Sequence, residues 1–196
     1  MPPECLHMTT LEVTHSLTAP EIDALVQTLR PKAEEITDYP LHHRTRLVKP
    51  MISYDAAALA LSFVPAAGDS APSHDDGHTY HHLRRDLYGL CKEGGVTVAS
   101  RYTVPSSHLT IARFVTQEGF LIKDEGSLAT DPNKVKRWID TIEATNRWLE
   151  GSYWPKVGHA VPEGGEWIVG QEKGLDFRQG TLWYGGGETI RLGRGF

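Results

Sequence analysis

A chain of 196 residues with 39% hydrophobic content and a formal charge of −5 suits one domain, or two small lobes on a shared core, and excludes a fibrous or wholly disordered polymer. The acidic balance also excludes broad, sequence-independent adhesion to nucleic acid, which needs many lysines and arginines against phosphates, but leaves room for a local basic pocket holding one phosphate. Two cysteines without a CxxC spacing, Cys5 and Cys91, exclude a disulfide framework, no apolar run approaches the roughly 18 residues of a membrane span, and the start lacks a secretory pattern, so a soluble cytoplasmic protein is expected.

Cys5 to Val13 reads as a strand with Cys5, His7, Thr9, Leu11 and Val13 on one face. Thr18-Ala19-Pro20-Glu21 is a capping box with proline in the first turn, and Ile22, Leu25, Val26 and Leu29 follow at helical spacing, so a one-sided helix should end near Pro31. Two strands, Arg46 to Tyr54 and Ala58 to Val64, should form a hairpin, although Asp55-Ala56-Ala57 is not an Asn-Gly or Asp-Gly turn. Residues 66–78 lack periodicity and read as a mobile surface loop. Tyr80, Leu83, Leu87, Leu90 and Cys91 keep helical spacing up to a stop at Gly94-Gly95. A strand from Val96 to Val104 is expected next, and Pro105 separates it from a second one, Ser106-Ser107-His108-Leu109-Thr110-Ile111-Ala112-Arg113-Phe114. By simple alternation His108, Thr110, Ala112 and Phe114 share one face of this strand, and Leu109, Ile111, Arg113 and Val115 share the other. Asp131-Pro132 caps a third helix whose Val135, Trp138, Ile139, Ile142 and Leu149 mark a buried stripe. Strands near Glu166 to Gly170, Thr181 to Tyr184 and Glu188 to Leu192 close the chain, with Gly185-Gly186-Gly187 as a turn.

This order contains a duplication. Pro105, the His108-x-Thr110 strand and the Asp131 helix echo Pro3, the His7-x-Thr9 strand and the Thr18 helix. The second unit has its own helix and strand upstream, whereas six residues precede His7, so a strand and a helix are expected to be missing before the first unit. A third His-x-Thr, His43-Arg44-Thr45, lacks the shared context of a preceding proline, an apolar central residue and an apolar run after it.

The pair His7-Met8-Thr9 and His108-Leu109-Thr110, about half a domain apart, with Ser107 before the second and Ile111-Ala112-Arg113 after it, resembles the two-histidine phosphoesterase superfamily. The flanks Leu6 to Leu17, Leu47 to Pro65 and Gly165 to Phe196 look most like its fungal RNA ligase/cyclic nucleotide phosphodiesterase branch. The resemblance implies an α+β fold, bilobal with pseudo-twofold symmetry, with two antiparallel sheets flanking a central groove, helices outside and one His-x-Thr motif per sheet. The family normally has a strand and a helix before the first motif, in line with the missing elements. The resemblance also implies hydrolysis of the 2′,3′-cyclic phosphate of RNA ends or nucleotides, with His7 and His108 as the acid–base pair, Thr9 and Thr110 binding the phosphate, and neither metal nor other cofactor.

The chemistry suits those residue types. Histidine's unperturbed pKa near 6.5 lets two imidazoles hold opposite protonation states at neutral pH, one taking a proton from water and the other giving one to the departing ribose oxygen. Threonine hydroxyls can donate to non-bridging oxygens as charge develops. The alternative reading is a non-catalytic nucleotide- or RNA-binding module of the same fold, and the plainest is a structural domain with core histidines. By alternation Arg113 reaches the phosphate only if a bulge intervenes. Arg44, Arg46 and Lys49 form a basic stripe, Tyr54, Tyr102, Trp183 and Tyr184 are candidates for stacking a base, and His74, Asp75, Asp76, His78, His81 and His82 lack a zinc-site spacing. An edge strand left exposed by the missing segment would offer a route to dimers.

Overall fold

Local codes set the element boundaries. The first helix, α1 (Ala19–Leu29), begins at the Thr18 capping box, where the Glu21 carboxylate accepts from the Thr18 backbone N–H at 2.8 Å and from its hydroxyl at 2.6 Å. A 3₁₀ turn, Arg30–Lys32, carries the chain past Pro31 into α2 (Ala33–Thr37). There follow β1 (Arg46–Tyr54), β2 (Ala58–Pro65), α3 (Tyr80–Glu93), β3 (Ser107–Arg113), β4 (Leu121–Asp124), β5 (Ser127–Thr130), α4 (Pro132–Tyr153), β6 (Glu166–Ile168), β7 (Lys173–Gln179) and β8 (Glu188–Arg194). The computed structural model describes residues 1–68, 76–99, 107–124, 127–180 and 186–196. Among them no helix is long and apolar enough to cross a membrane.

The architecture is α+β with antiparallel pairing throughout the described strands. One sheet runs β3-β2-β1-β6, and β4–β5 and β7–β8 are separate two-stranded sheets. The β1–β2 hairpin closes on Asp55, whose carboxylate accepts from the N–H groups of Ala57 and Ala58 at 2.7 and 2.8 Å, an Asx turn that replaces the usual glycine chemistry. The α3 stripe Tyr80, Leu83, Leu87 and Leu90 packs with Leu47 of β1 and Val169 as the main core. Each such side chain contributes about 1.5–3 kcal/mol of transfer free energy. Cys91 joins a second cluster with Leu29 and Val96, and burial pushes its thiol up to about 11. The stop after α3 falls where expected, with Gly95 in the left-handed region at φ 86°.

Helix α4 lies against β1. Asn146 accepts from the Ile52 N–H at 2.6 Å and donates to the Ile52 carbonyl at 3.0 Å, so one amide completes the strand edge where β6 no longer pairs with it. Its ring Trp138 gathers Tyr54, Phe114 and Phe120 at centroid distances of 4.6–5.8 Å. The tail sheet docks on α2 through Gly193, where a side-chain carbon would collide with the Thr37 carbonyl. Asp38 then accepts from Arg191 and Arg194, closing the contact.

Three expectations are corrected. Among the described residues Cys5 to Val13 is not a ladder strand: Pro3–Cys5 is a 3₁₀ turn, and the extended residues after it make one antiparallel bridge, Met8 with Leu109. Among the described residues, side chains of α3 take the carbonyls of Thr9 and Thr10, and the backbone N–H of Ala99 takes that of Val13 at 2.8 Å. The tail strand paired with β8 is β7, and the alternation of Leu175 and Phe177 within charged neighbours was its signal. Finally, the end of the expected mobile loop is anchored, because Asp76 is buried and accepts from Arg46 at 2.8 and 3.0 Å. Residues 69–75, 100–106 and 181–185, which hold the remainder of that loop, most of the Val96 to Val104 strand and the Thr181 to Tyr184 strand, lie outside the described residues.

Candidate functional site

The Met8–Leu109 bridge decides how the two motifs meet. Met8 packs against the main core, so in extended backbone its neighbours His7 and Thr9 turn to the opposite side. Across an antiparallel bridge the partner of residue i−1 is j+1. His7 therefore lies across from Thr110 and Thr9 across from His108, and all four side chains occupy one face. His7 is near enough to exert a charge effect on His108. The sequence placed these four residues in two separate strands; the structure brings them together at the outer edge of β3.

The floor of this face belongs to β2. Opposite β3 the register pairs Ser62 with His108 and Ala60 with Thr110, while Leu61 pairs with Leu109 on the core side. Strand β2 thus alternates Leu59, Leu61 and Phe63 toward the helices with Ala58, Ala60 and Ser62 toward the histidines. Ala60 is buried, and Ala58 and Ser62 are half-buried. Ser62 shares a 2.5 Å hydrogen bond with Ser53 of β1, adding a hydroxyl pair that the sequence reading did not single out. The alternation of small and large residues in β2 was the available signal.

A bulge changes the assignment of Arg113. Ala60 pairs with Thr110, but Leu59 pairs with Ala112 and Ala58 with Arg113, so β3 takes two steps where β2 takes one. Ile111 is the extra residue. Beyond it the faces exchange: Ala112 and Phe114 join the helix side, where Phe114 meets Trp138, and Arg113 joins His108 and Thr110. Simple alternation had put Arg113 on the wrong face and Ala112 and Phe114 beside His108.

His108 is half-buried, and its pKa is lowered first by that burial, then by the positive charges of Arg84 and Arg113, with a small contribution from His7 and opposition from the Asp55 carboxylate. Asp55 is itself held below the usual carboxylate range, chiefly by the N–H groups of Ala57 and Ala58. His7 is oriented differently. Its Nδ1 lies 3.0 Å from the Cys5 carbonyl, which can only accept, so Nδ1 carries a proton and Nε2 is the nitrogen left to react. The role of Cys5 here is thus its backbone carbonyl. Ser107 is buried and its hydroxyl donates to the Phe63 carbonyl at 2.8 Å, a structural bond beneath the site.

Other candidates take structural positions. Arg46 is buried and pairs with Asp76 and Glu166, Arg44 lies over the Phe196 ring, and Lys49 occupies a β1 bulge at φ 57°, so the basic stripe does not form one surface. Tyr54 packs on Trp138 on the helix side, away from the histidines; Tyr102, Trp183 and Tyr184 lie outside the described residues. Of the histidine-rich run, His78 bonds Asp86 at 3.0 Å and Thr45 at 3.3 Å, and His82 accepts from the Thr79 N–H at 3.0 Å as the capping partner of α3. His74 and Asp75 lie outside the described residues. The carbonyls of Gly186 and Gly187 accept from Arg178 in the connection between β7 and β8.

Comparisons with protein-family models, curated proteins and solved structures find no match to this chain. The functional reading therefore rests on the geometry of the site and on the motifs.

Proposed function

We propose that the chain is a metal-independent phosphodiesterase of the two-histidine type, acting on the 2′,3′-cyclic phosphate of an RNA end or a nucleotide, and that its fold is a form of the bilobal two-histidine architecture. The observation that carries this reading is the Met8–Leu109 bridge, which sets two imidazoles and two threonine hydroxyls on one face with small residues beneath. In hydrolysis, water loses a proton to one imidazole as its oxygen bonds to phosphorus. The bond from phosphorus to one ribose oxygen breaks, and the other imidazole, as imidazolium, supplies the proton that oxygen needs. Each proton transfer is typically worth ~10²–10⁴ in rate. Thr9 and Thr110 donate to the non-bridging oxygens, and Arg113, turned inward by the Ile111 bulge, offers a charged fork to the same phosphate.

The test is hydrolysis of a panel of 2′,3′-cyclic nucleotides in the presence of a chelator, by the unchanged chain and by His7→Ala and His108→Ala. Turnover that survives chelation and falls at least about 10²-fold in both variants supports the reading. Turnover untouched in either variant, or none by the unchanged chain, overturns it. Among the described residues a single bridge stands in place of a ladder under the first motif, which favours a second reading, a nucleotide-binding module without turnover. Saturable nucleotide binding by an inactive chain, lost in His108→Ala, would select that one.

A further inference from the structure

The segment that carries His7 and Thr9 is gripped at its Thr9 and Thr10 carbonyls by a helix. Besides the Met8 bridge and a bond from the Ala99 N–H to the Val13 carbonyl, two of its carbonyls are held from α3: Arg84 Nε donates to the Thr10 carbonyl at 2.9 Å, Arg84 Nη2 to the Thr9 carbonyl at 3.4 Å, and the Tyr80 hydroxyl to the Thr9 carbonyl at 3.4 Å. The guanidinium lies 4.7 Å over the ring of Tyr80, which is fully buried, so its position is set by packing as well as by hydrogen bonds. The same guanidinium stands near enough to His108 to act on it electrostatically, along with Arg113 on the same strand, Asp55 from the β1–β2 turn and His7 from the first motif.

Resting on the two-histidine reading, we infer that Arg84 is a positioning residue of this site: it fixes the backbone of Thr9 opposite His108 and holds a permanent positive charge near that imidazole. An imidazole next to a fixed cation disfavours its own protonated form, so His108 enters the cycle neutral and takes the proton from water. His7, with Nδ1 committed to the Cys5 carbonyl, presents Nε2 to the reaction. Arg84 touches neither water nor phosphate in this scheme. Its effect passes through the Thr9–Thr10 backbone and the field at His108.

Two substitutions separate the two effects. Arg84→Gln removes the charge, whereas Arg84→Lys keeps the charge and loses the planar fork that spans two carbonyls. The measurements are kcat, KM and their pH dependence on a 2′,3′-cyclic nucleotide, thermal unfolding, and an NMR titration of the His108 ring assigned with His108→Gln. Both variants should lose roughly 10²-fold in kcat through misplacement of Thr9, with KM changed much less. In Arg84→Gln alone, the His108 titration and the acidic limb of the rate profile should move to higher pH. Unchanged kcat in both variants, or a kcat loss with no movement of His108 in Arg84→Gln, overturns the inference, since a merely structural arginine would lower the melting temperature without moving the titration. If Arg84→Gln does not fold, Arg84→Lys decides through kcat, and the Arg84→Lys titration must coincide with that of the unchanged chain. If the unchanged chain turns over no cyclic nucleotide, the two-histidine reading fails by that result alone. The NMR titration then decides the effect of Arg84 on His108, with an upward shift in Arg84→Gln supporting it and no shift overturning it.

Discussion

Arg113→Met tests the exchange of faces at the Ile111 bulge. Arg113 is exposed, and its substitution should change stability by no more than about 0.5 kcal/mol, the ordinary range for surface positions. Its place on the His108 face follows from pairing with Ala58 after the register shift. From there an arginine fork on a phosphate oxygen makes charge-assisted bonds worth about 1.5–3 kcal/mol. Converted at 1.36 kcal/mol per decade, loss of that contact should lower kcat/KM by about 10- to 150-fold. Arg113→Lys should fall between the two, because lysine keeps a point charge but lacks the planar fork. Removing the Arg113 charge also relieves His108, whose acidic limb should move to higher pH in Arg113→Met. The assay is initial-rate hydrolysis of a 2′,3′-cyclic nucleotide across pH 5–9, with melting temperature as the fold control. Activity of Arg113→Met within twofold of the unchanged chain, at an unchanged melting temperature, would refute the placement of this arginine at the phosphate.

Stability should fall as the pH drops below about 6.5. His108, by burial and then Arg84 and Arg113, and His43, by burial and then His78, both have lowered pKa values in the fold, so the unfolded chain binds protons first and the stabilisation present above 6.5 is lost toward the folded pKa values. Urea midpoints at pH 7.5 and 5.5 measure this, and a midpoint that is equal or higher at pH 5.5 would contradict it. Asn146→Ala should cost about 1–3 kcal/mol, because the Ile52 N–H and carbonyl lose their partner on a part-buried edge; a ΔΔG below about 0.5 kcal/mol would mean water replaces the amide freely. Asp131→Ala removes the side-chain cap that accepts from the Asn133 and Lys134 N–H groups at the start of α4, and should cost about 0.5–2 kcal/mol by the same measurement, with no loss refuting the cap.

Short-range codes made most of the elements legible. The Thr18 and Asp131 caps, the helical spacing from Tyr80 to Cys91 and the period-2 runs of the β1–β2 hairpin all act within a few residues, and each produced the element expected. Elements that depend on a distant partner were harder to read. Whether Cys5 to Val13 becomes a ladder depends on what lies beside it, and there the donors include Arg84, Tyr80 and the Ala99 N–H, more than 70 residues away in the chain. Strand β7 is hard to read from sequence because Lys173, Asp176 and Arg178 mask two inward apolar residues. For the site, His7, Thr9, His108 and Thr110 were legible as residue types in a repeated pattern. Arg113 was legible only conditionally, since a bulge depends on the register of two strands rather than on either sequence alone.

The two devices that assemble the site differ in what they tolerate. The bulge at Ile111 is fixed by the β2–β3 ladder and by Phe114 packing on Phe120 and Trp138, so Arg113 is held by many contacts that must fail together. Among the described residues the first motif has one bridge, the polar grip of Arg84 and Tyr80, the Ala99–Val13 and Met1–Ile111 backbone bonds and the packing of Met8, Leu11 and Val13, with no ladder of its own. Local opening follows the weakest set of contacts, so His7 and Thr9 should leave the site before His108 and Thr110 do. A closed His7–His108 arrangement is then a state that ligand can favour: a phosphate bound by both threonines stabilises it by mass action, RT ln(1 + [L]/Kd). Amide exchange of residues 7–13 should accordingly be faster than that of β3 in the free protein and slow selectively when a non-hydrolysable cyclic nucleotide analogue is added. Equal slowing across β3 and residues 7–13, or none at all, would mean that the two motifs already form one rigid unit without ligand.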